Sequence, residues 1–171
     1  MVKQTENIVL IGMPAAGKST VGVLLAKWLG LDFADMDIII QTGEDKTLEE
    51  IISEVGVKGF LKVEETYLCS ADLEGRVVST GGSAVYSEKA MERAAESGLI
   101  VYLEQGLEAL KQRISSLDTR GVVRMPGQDI ESLYHERTPL YETYADITVQ
   151  CNGLTPDRIV SEIVDWIACL N

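Results

Sequence analysis

The stretch Gly12-Met13-Pro14-Ala15-Ala16-Gly17-Lys18-Ser19-Thr20 matches G-x-x-x-x-G-K-[ST], the pattern of a phosphate-binding loop. Each fixed residue meets a separate requirement of a bound triphosphate. The glycines let the backbone curl, so that successive N–H groups point inward at anionic oxygens. Lys18 supplies a mobile positive charge for the β- and γ-phosphates, and the Ser19 hydroxyl can enter the coordination shell of Mg²⁺. The loop therefore predicts a nucleotide site formed by Gly12, Pro14, Ala15, Ala16, Gly17, Lys18, Ser19 and Thr20.

The segments on either side of this loop have the character that a phosphate site needs. Residues 7–11 form a short apolar run typical of a buried strand. Residues 18–29 then repeat apolar side chains at helical spacing, at Val21, Leu24, Leu25 and Trp28. The N-terminus of such a helix adds a partial positive charge to the site. The alternative, a glycine-rich strand-to-helix turn without a ligand, is less consistent with this context.

Apolar runs and helical patterns alternate along the whole chain, which is typical of a parallel sheet covered on both faces by helices. We therefore predict one α/β domain over residues 1–171 with five parallel strands. At about 117–128, Gly, Pro, Arg and Asp occur without periodicity, and we expect a mobile segment there. The predicted strands are 7–11, 31–37, 76–80, 99–103 and 145–151. The predicted helices are 18–29, 47–55, 57–72, 87–97, 107–116, 134–144 and 156–170, with a kink or restart at Pro139.

Composition limits the class of protein and the partners. The chain has 171 residues, 46% of them hydrophobic and 25% charged, which is ordinary for a soluble globular protein. Its net charge of −12 argues against a nucleic-acid or membrane partner, because such surfaces attract basic stripes. We find no signal peptide and no long apolar run, and the three cysteines are far apart in sequence. We therefore expect a cytoplasmic protein with reduced thiols, and a monomer.

Acidic residues and glycines follow two further predicted strands. Asp35 and Asp37 end the second strand, and Gly81 and Gly82 follow the third. Ligands of parallel sheets bind outside the carboxyl ends of the strands, so these residues should converge on the phosphate loop. A carboxylate there can hold Mg²⁺ through water or accept the proton of an attacking hydroxyl. The alternatives are a solvated turn for the aspartates and a tight strand-to-helix turn for the glycines.

Five stretches that follow one another in this order carry a family resemblance. They are Ser19-Thr20-Val21-Gly22, Phe33-Ala34-Asp35-Met36-Asp37, Gly56-x-x-x-Phe60 with Glu64, Ser79-Thr80-Gly81-Gly82-Ser83-Ala84-Val85, and Arg137-Thr138-Pro139-Leu140-Tyr141 followed by Tyr144-Ala145-Asp146. Together they make nearly the whole chain resemble the shikimate kinases. The resemblance implies a three-layer P-loop kinase fold, with a mobile lid at about 117–128. It also implies ATP and Mg²⁺ as cofactors and a small-molecule hydroxyl as the phosphoryl acceptor.

The resemblance also assigns roles to individual residues. Ser19 and Asp35 would hold the metal, and Asp37 would contact the substrate hydroxyls. Gly81 and Gly82 would form the substrate wall, and Arg137 would bind a substrate carboxylate, with a structural salt bridge as its alternative role. Arg120 falls where the family has a lid arginine that reaches the transferred phosphate, although Arg124 is also available. The predicted catalytic residues are Lys18, Asp37 and Arg120.

The sequence departs from the family pattern at three places. Leu61 replaces an arginine that helps to grip the substrate carboxylate, and Val57 replaces an acidic residue. The triple glycine has become Gly81-Gly82-Ser83, and the lid reads Arg120-Gly121-Val122-Val123 where the family has Arg-Pro-Leu-Leu. A lost arginine–carboxylate contact weakens binding about 10- to 100-fold unless another group replaces it. Lys58, one turn before Lys62, is the better placed replacement on the helix, although a lysine lacks the planar fork.

Three functions are compatible with these observations. The first is an ATP-dependent kinase of shikimate, or of another small hydroxy acid or polyol whose apolar part meets Leu61. The second is a nucleotide-binding regulator that has lost transfer activity, which the lost arginine would fit. The third, a nucleoside-monophosphate kinase, needs arginines for the acceptor phosphate, and none occurs between Asp37 and Arg76. We favour the first, with shikimate as the acceptor.

Overall fold

The computed structural model describes residues 7–116 and 122–170. Short strands alternate with longer helices from one end of the described chain to the other. The strands are β1 (Ile8–Ile11), β2 (Asp32–Asp35), β3 (Arg76–Ser79), β4 (Leu99–Glu104) and β5 (Ile147–Gln150). The helices are α1 (Lys18–Leu29), α2 (Met36–Glu44), α3 (Leu48–Ser70), α4 (Glu88–Ser97), α5 (Leu107–Ser116), α6 (Ile130–Tyr144) and α7 (Pro156–Leu170). A 3₁₀ turn, Ala84–Tyr86, lies between β3 and α4.

The five strands form one parallel sheet in the order β2-β3-β1-β4-β5. β1 is central, with Val9 opposite Val78 of β3 on one side and Ile100 of β4 on the other. The chain leaves β1 for β2 at one edge, returns through β3, and then crosses to β4. In open sheets of this kind, the ligand crevice lies outside the carboxyl ends at the point where the strand order reverses. The predicted parallel sheet is confirmed, and the crevice falls at the phosphate loop.

Helices bury both faces of this sheet. On one face, α1 and α7 place Leu25 and Ile163 against β1 and β4. On the other face, α3, α4 and α6 place Leu68, Met91 and Tyr141 against the same strands. The strands are therefore buried on both sides, which explains why the sequence shows continuous apolar runs rather than alternation. Within residues 7–116 and 122–170, no helix has both the length and the apolar character needed to cross a membrane.

The region after β2 differs from the prediction. The second strand was expected to reach Asp37, but it ends at Asp35 and α2 begins at the next residue. The cause is local, because the Asp35 carboxylate accepts the backbone N–H groups of Asp37 and Ile38 and so caps the helix. The two helices predicted next form one helix, α3, with a bend at Gly56, whose φ of +69° favours glycine. This bend falls where the sequence predicts the boundary.

Helix α6 also differs from the prediction, because it begins at Ile130 rather than at residue 134 and does not restart at Pro139. Its start is fixed by Asp129, whose side chain accepts the N–H of Ser132 at 2.8 Å. Proline removes one backbone hydrogen bond from a helix interior. Here Arg137 and Tyr141 are buried on either side of Pro139, and this packing holds the helix continuous across it.

Candidate active site

A cavity of about 430 Å³ opens at the carboxyl ends of β1 and β3, against the N-terminus of α1. It brings together most of the predicted site residues, namely Pro14, Ala15, Gly17, Lys18, Ser19, Thr20, Asp37, Gly81, Gly82 and Arg137. Gly12 and Ala16 belong to the same loop but do not line the cavity. Asp35 lies directly behind Ser19. The sequence-based expectation that these segments converge is confirmed for all of these residues.

The phosphate loop has the backbone conformation that an anion site requires. Gly17 precedes α1 in the left-handed region, with φ +99°, and Ala15 adopts φ +64°. A non-glycine residue rarely occupies this region, and such strained positions are typical of ligand sites. Reversals of this kind turn consecutive N–H groups toward a common centre. The α1 N-terminus opens onto the same cavity and adds its partial positive charge.

Lys18 is folded back over the loop. Its ammonium group donates to the carbonyl oxygens of Gly12 at 2.8 Å and Met13 at 2.9 Å, and the residue is only 8% exposed. Burial lowers the pKa of Lys18 to about 8, and the nearby Asp37 carboxylate opposes this shift. A bound triphosphate would supply the negative charge that this buried ammonium lacks. Lys18 is therefore poised to release the loop carbonyls and bind phosphate oxygens.

Ser19 and Asp35 form a pair suited to a magnesium ion. The Ser19 hydroxyl donates to Asp35 Oδ2 at 2.6 Å, while Oδ1 accepts the backbone N–H of Asp37 at 3.0 Å. Hydroxyl and carboxylate oxygens are ligands that Mg²⁺ prefers, and it usually takes one or two protein carboxylates beside nucleotide phosphates and water. The predicted metal residues therefore lie together, at the loop that would hold the phosphates.

Asp37 lines the same cavity as the phosphate loop and lies in the first turn of α2. Burial raises its pKa above the usual aspartate value, while the Lys18 charge lowers it and the Asp35 charge raises it. A raised pKa improves a carboxylate as a proton acceptor at neutral pH. Asp37 Oδ1 is also close to Gly81, where an added Cβ would lie 3.1 Å from it. Gly81 thus leaves the space beside the carboxylate open.

Arg137 is the largest fully buried side chain of the described chain, at 1% exposure. Its Nε donates to the Tyr86 hydroxyl at 3.1 Å and its Nη2 to the carbonyl of Val123 at 2.5 Å. The guanidinium also lies over the Tyr86 ring, 5.1 Å from its centroid. Nη1 has no hydrogen-bond partner among the described residues and faces Gly82, which lines the cavity. Within residues 7–116 and 122–170 the alternative role of Arg137, a structural salt bridge, is not found.

Glu64 lines the cavity, although sequence reasoning noted it only as part of a motif. It is 3% exposed, and its Oε2 accepts the Ser83 hydroxyl at 2.5 Å. Oε1 is buried without a hydrogen-bond partner in residues 7–116 and 122–170, and a Cβ on Gly81 would collide with it. Burial raises the pKa of Glu64 to about 7, opposed by the Ser83 hydrogen bond. The signal available in the sequence was its position one turn after the apolar Phe60.

Leu61 does not line the main cavity. It packs against the apolar cluster of Ile40, Leu48, Ile51, Phe60 and Val123, and it lines a smaller neighbouring cavity of about 90 Å³. Lys58, the expected replacement for the family arginine, is exposed and lines neither cavity. Lys62 is also exposed and reaches only the smaller cavity. The expectation that Lys58 replaces the arginine is therefore not supported by the positions of these side chains.

The arginines expected near the nucleotide lie at different places relative to the cavity. Arg120 lies outside the described residues. Arg124 is exposed, and its guanidinium donates to the Gln128 carbonyl at 3.5 Å, away from the cavity. Arg113 of α5, which no motif indicated, donates to the Ala15 carbonyl at 3.1 Å and so braces the phosphate loop. From the described part of the predicted lid, Val122 and Val123 line the cavity.

Comparison with known proteins gives a consistent result. A family model described as shikimate kinase matches residues 14–168. The shikimate kinase of Thermodesulfovibrio yellowstonii is 34% identical over 162 residues, which cover 93% of this chain and 93% of that protein. The shikimate kinase of Francisella tularensis subsp. novicida is 36% identical over 168 residues, covering 96% of each. The solved structure of shikimate kinase from Acinetobacter baumannii in complex with shikimate aligns with a TM-score of 0.88 and 30% identity, covering 98% of this chain and 95% of that one. The chain belongs to the shikimate kinase family.

Proposed function

We propose that this protein transfers the γ-phosphoryl group of ATP to a ring hydroxyl of shikimate, giving shikimate 3-phosphate and ADP. The observation that carries the proposal is one cavity lined by two chemically different groups. A phosphate loop with its lysine and a buried arginine with a donor that has no partner among the described residues both line it, together with Asp37. Such an arrangement suits transfer from a polyanion to the hydroxyl of a small acid.

At the nucleotide end, the loop backbone from Gly12 to Thr20 binds the phosphates, and Lys18 neutralises the β- and γ-oxygens. Ser19 and Asp35 would hold Mg²⁺, which would supply positive charge at the phosphates. Arg113 keeps the loop in shape through its bond to Ala15. Phosphoryl transfer needs positioning and charge stabilisation more than covalent chemistry, and these residues provide both.

At the acceptor end, Asp37 orients the hydroxyl that attacks and accepts its proton as the new P–O bond forms. Arg137 binds the carboxylate of the acceptor through Nη1, the donor that has no partner in the part of the chain that the structure describes. Gly81 and Gly82 allow the ring to approach, since a Cβ on Gly82 would lie 3.1 Å from Arg137 Nη1. Arg120 lies outside the described residues, and its role in neutralising the transferred phosphate stays a prediction from the family resemblance.

Shikimate is preferred over another hydroxy acid or polyol because Arg137 presents a charged donor for a carboxylate and Leu61 adds no apolar surface to the cavity. A regulator without activity is not favoured, since Lys18, Ser19, Asp35 and Asp37 are all present and lie together.

We also propose that residues 1–171 act as one cytoplasmic domain and as a monomer. The three free cysteines support the cytoplasmic location.

The experiment is ADP release measured with MgATP and a panel of hydroxy acids, polyols and nucleoside monophosphates. We expect release to depend on shikimate and to exceed the rate with any other member of the panel. Lys18→Ala is the control, and it should lower turnover about 100- to 1,000-fold while the protein stays folded by circular dichroism. Stimulation by a polyol but not by shikimate would show that the acceptor is a polyol. Stimulation by a nucleoside monophosphate would show that the protein is a different class of kinase.

A further inference from the structure

Two of the departures from the family pattern lie side by side in space. Leu61 on α3 and Ser83 after β3 both line the smaller cavity of about 90 Å³, and Glu64 forms the wall between this cavity and the main one. Position 61 is one helical turn before Glu64, so a long side chain there would reach the Glu64 carboxyl. The leucine at this position cannot form a hydrogen bond to it.

Ser83 supplies that hydrogen bond from the opposite side. Its hydroxyl donates to Glu64 Oε2 at 2.5 Å, and both residues are almost fully buried, at 2% and 3% exposure. Ser83 has φ −93° and ψ −4°, a conformation that needs no glycine. Its backbone would therefore remain the same without the side chain. The serine therefore differs from a glycine of the triple-glycine motif by its hydroxyl group.

The bond to Ser83 determines where the second carboxyl oxygen points. With Oε2 held, Oε1 is turned toward Gly81 and has no hydrogen-bond partner among the described residues. Asp37 Oδ1 faces the same side of this glycine, 3.1 Å from the position that a Cβ would take. A buried acceptor without a partner is costly, and it is retained where a ligand satisfies it. Oε1 is thus placed beside the carboxylate that would receive the attacking hydroxyl.

We propose that Ser83 is a positioning residue for the phosphoryl acceptor, and this inference rests on the proposed function. Its hydroxyl fixes the Glu64 carboxyl so that Oε1 accepts a hydrogen bond from an acceptor hydroxyl. An arginine at position 61 and a serine at position 83 are two ways of holding the same carboxyl, from α3 and from the loop after β3. This chain uses the serine.

The hydrogen bond between Ser83 and Glu64 can be measured through the pKa of Glu64, which the surrounding charges also affect. The charged groups that face it are Asp37 from α2, Arg137 from α6 and Lys18 from α1. Burial and Asp37 raise the pKa of Glu64, whereas Ser83, Arg137 and Lys18 lower it. A hydroxyl that donates to a carboxylate favours its ionised form. Removing the Ser83 hydroxyl must therefore move the titration of Glu64 to higher pH.

The test compares the wild type with Ser83→Ala. We expect the KM for shikimate to rise about 5- to 10-fold, the loss of one buried hydrogen bond, while the KM for ATP stays unchanged. The acidic limb of the kcat/KM profile for shikimate should move to higher pH. A ¹³C NMR titration of the Glu64 carboxyl, assigned with Glu64→Gln, should move in the same direction in the free protein. A merely structural serine would not produce this pair of shifts.

Ser87→Ala is the matched control, because Ser87 donates to Glu65 at 2.5 Å and lines the same small cavity. It should leave the shikimate KM and the Glu64 titration unchanged. In a Leu61→Arg background, the effect of Ser83→Ala should shrink to less than about twofold, since the guanidinium then holds Glu64. Full activity of Ser83→Ala with an unshifted profile, or an undiminished effect beside Leu61→Arg, overturns the inference. A wild type that does not turn over shikimate instead contradicts the proposed function.

Discussion

Asp37 lines the cavity together with the phosphate loop and Arg137, and burial raises its pKa. If it accepts the proton of the acceptor hydroxyl, Asp37→Asn should lower kcat about 100- to 10,000-fold. The Kd for MgATP should change less than about threefold, because the loop and Lys18 hold the nucleotide. Single-turnover kinetics and isothermal titration calorimetry measure these two quantities. A variant that loses ATP affinity but retains kcat would place Asp37 at the nucleotide instead.

Glu64 makes the stability of the free protein depend on pH. Its pKa rises from 4.5 in the unfolded chain to about 7 in the folded one, so the folded state holds the proton more tightly. Stability contributed by the protonated carboxyl is complete below pH 4.5 and is lost as pH rises toward 7. The loss is at most about 3 kcal/mol. Glu64→Gln does not titrate, so its stability relative to the wild type should increase over this interval.

Urea unfolding of both proteins at several pH values between 4.5 and 8 measures this difference. The same Glu64→Gln variant should bind shikimate more weakly, because an amide cannot replace the carboxylate near Asp37. Parallel stability curves for the two proteins across this range would contradict the raised pKa. Stability and function at Glu64 thus oppose each other, as is common at ligand sites.

At the residue scale, sequence reasoning found the residues that sit in recognisable patterns. Lys18, Ser19 and Asp37 could be predicted from their positions in the sequence. A lysine and a serine are required at fixed positions of the loop, and a carboxylate is required at a strand end. Arg113 and Ser83 were missed as functional residues because their roles depend on packing between distant segments. Arg113 reaches Ala15 across 98 positions of sequence, and Ser83 reaches Glu64 across 19. No local pattern encodes such contacts.

At the element scale, Asp35 both caps α2 and binds the Ser19 hydroxyl. Asp35→Asn separates these tasks, because asparagine is an equally good N-cap but a weaker magnesium ligand. We expect thermal stability to change by less than about 1 kcal/mol. The magnesium concentration needed for half-maximal activity should rise about tenfold, the loss of one charged contact. Asp35→Ala should lose both properties, and equal magnesium dependence of Asp35→Asn and the wild type would exclude Asp35 from the metal site.

Elements with strong periodicity were predicted close to their observed bounds. Helix α1 was predicted at residues 18–29, which is its observed extent. Helix α2 was missed because it is short and starts directly at a strand end, so its first two residues were assigned to the strand and the others to no element. The continuity of α6 across Pro139 was also missed, since tertiary burial of Arg137 and Tyr141 overrides the local preference of proline.

At the scale of the whole molecule, alternation of strands and helices was sufficient to predict a parallel sheet covered on both faces. The order β2-β3-β1-β4-β5 could not be predicted, because it depends on which strands pair and not on any local pattern. The sheet explains how an acidic chain of net charge −12 can bind polyanions. It gathers Lys18 and Arg137 at one end of the central strands, where burial strengthens their local field.

The central claim is that this cavity transfers phosphate from ATP to an acceptor hydroxyl rather than to water. The most direct measurement is ³¹P NMR of the protein mixed with MgATP and shikimate, with shikimate omitted in the control. We predict that ADP and a phosphomonoester of shikimate appear in equal amounts, and that ATP is stable when shikimate is absent. Unchanged ATP in the complete mixture, or ADP formed with inorganic phosphate alone, would contradict the claim.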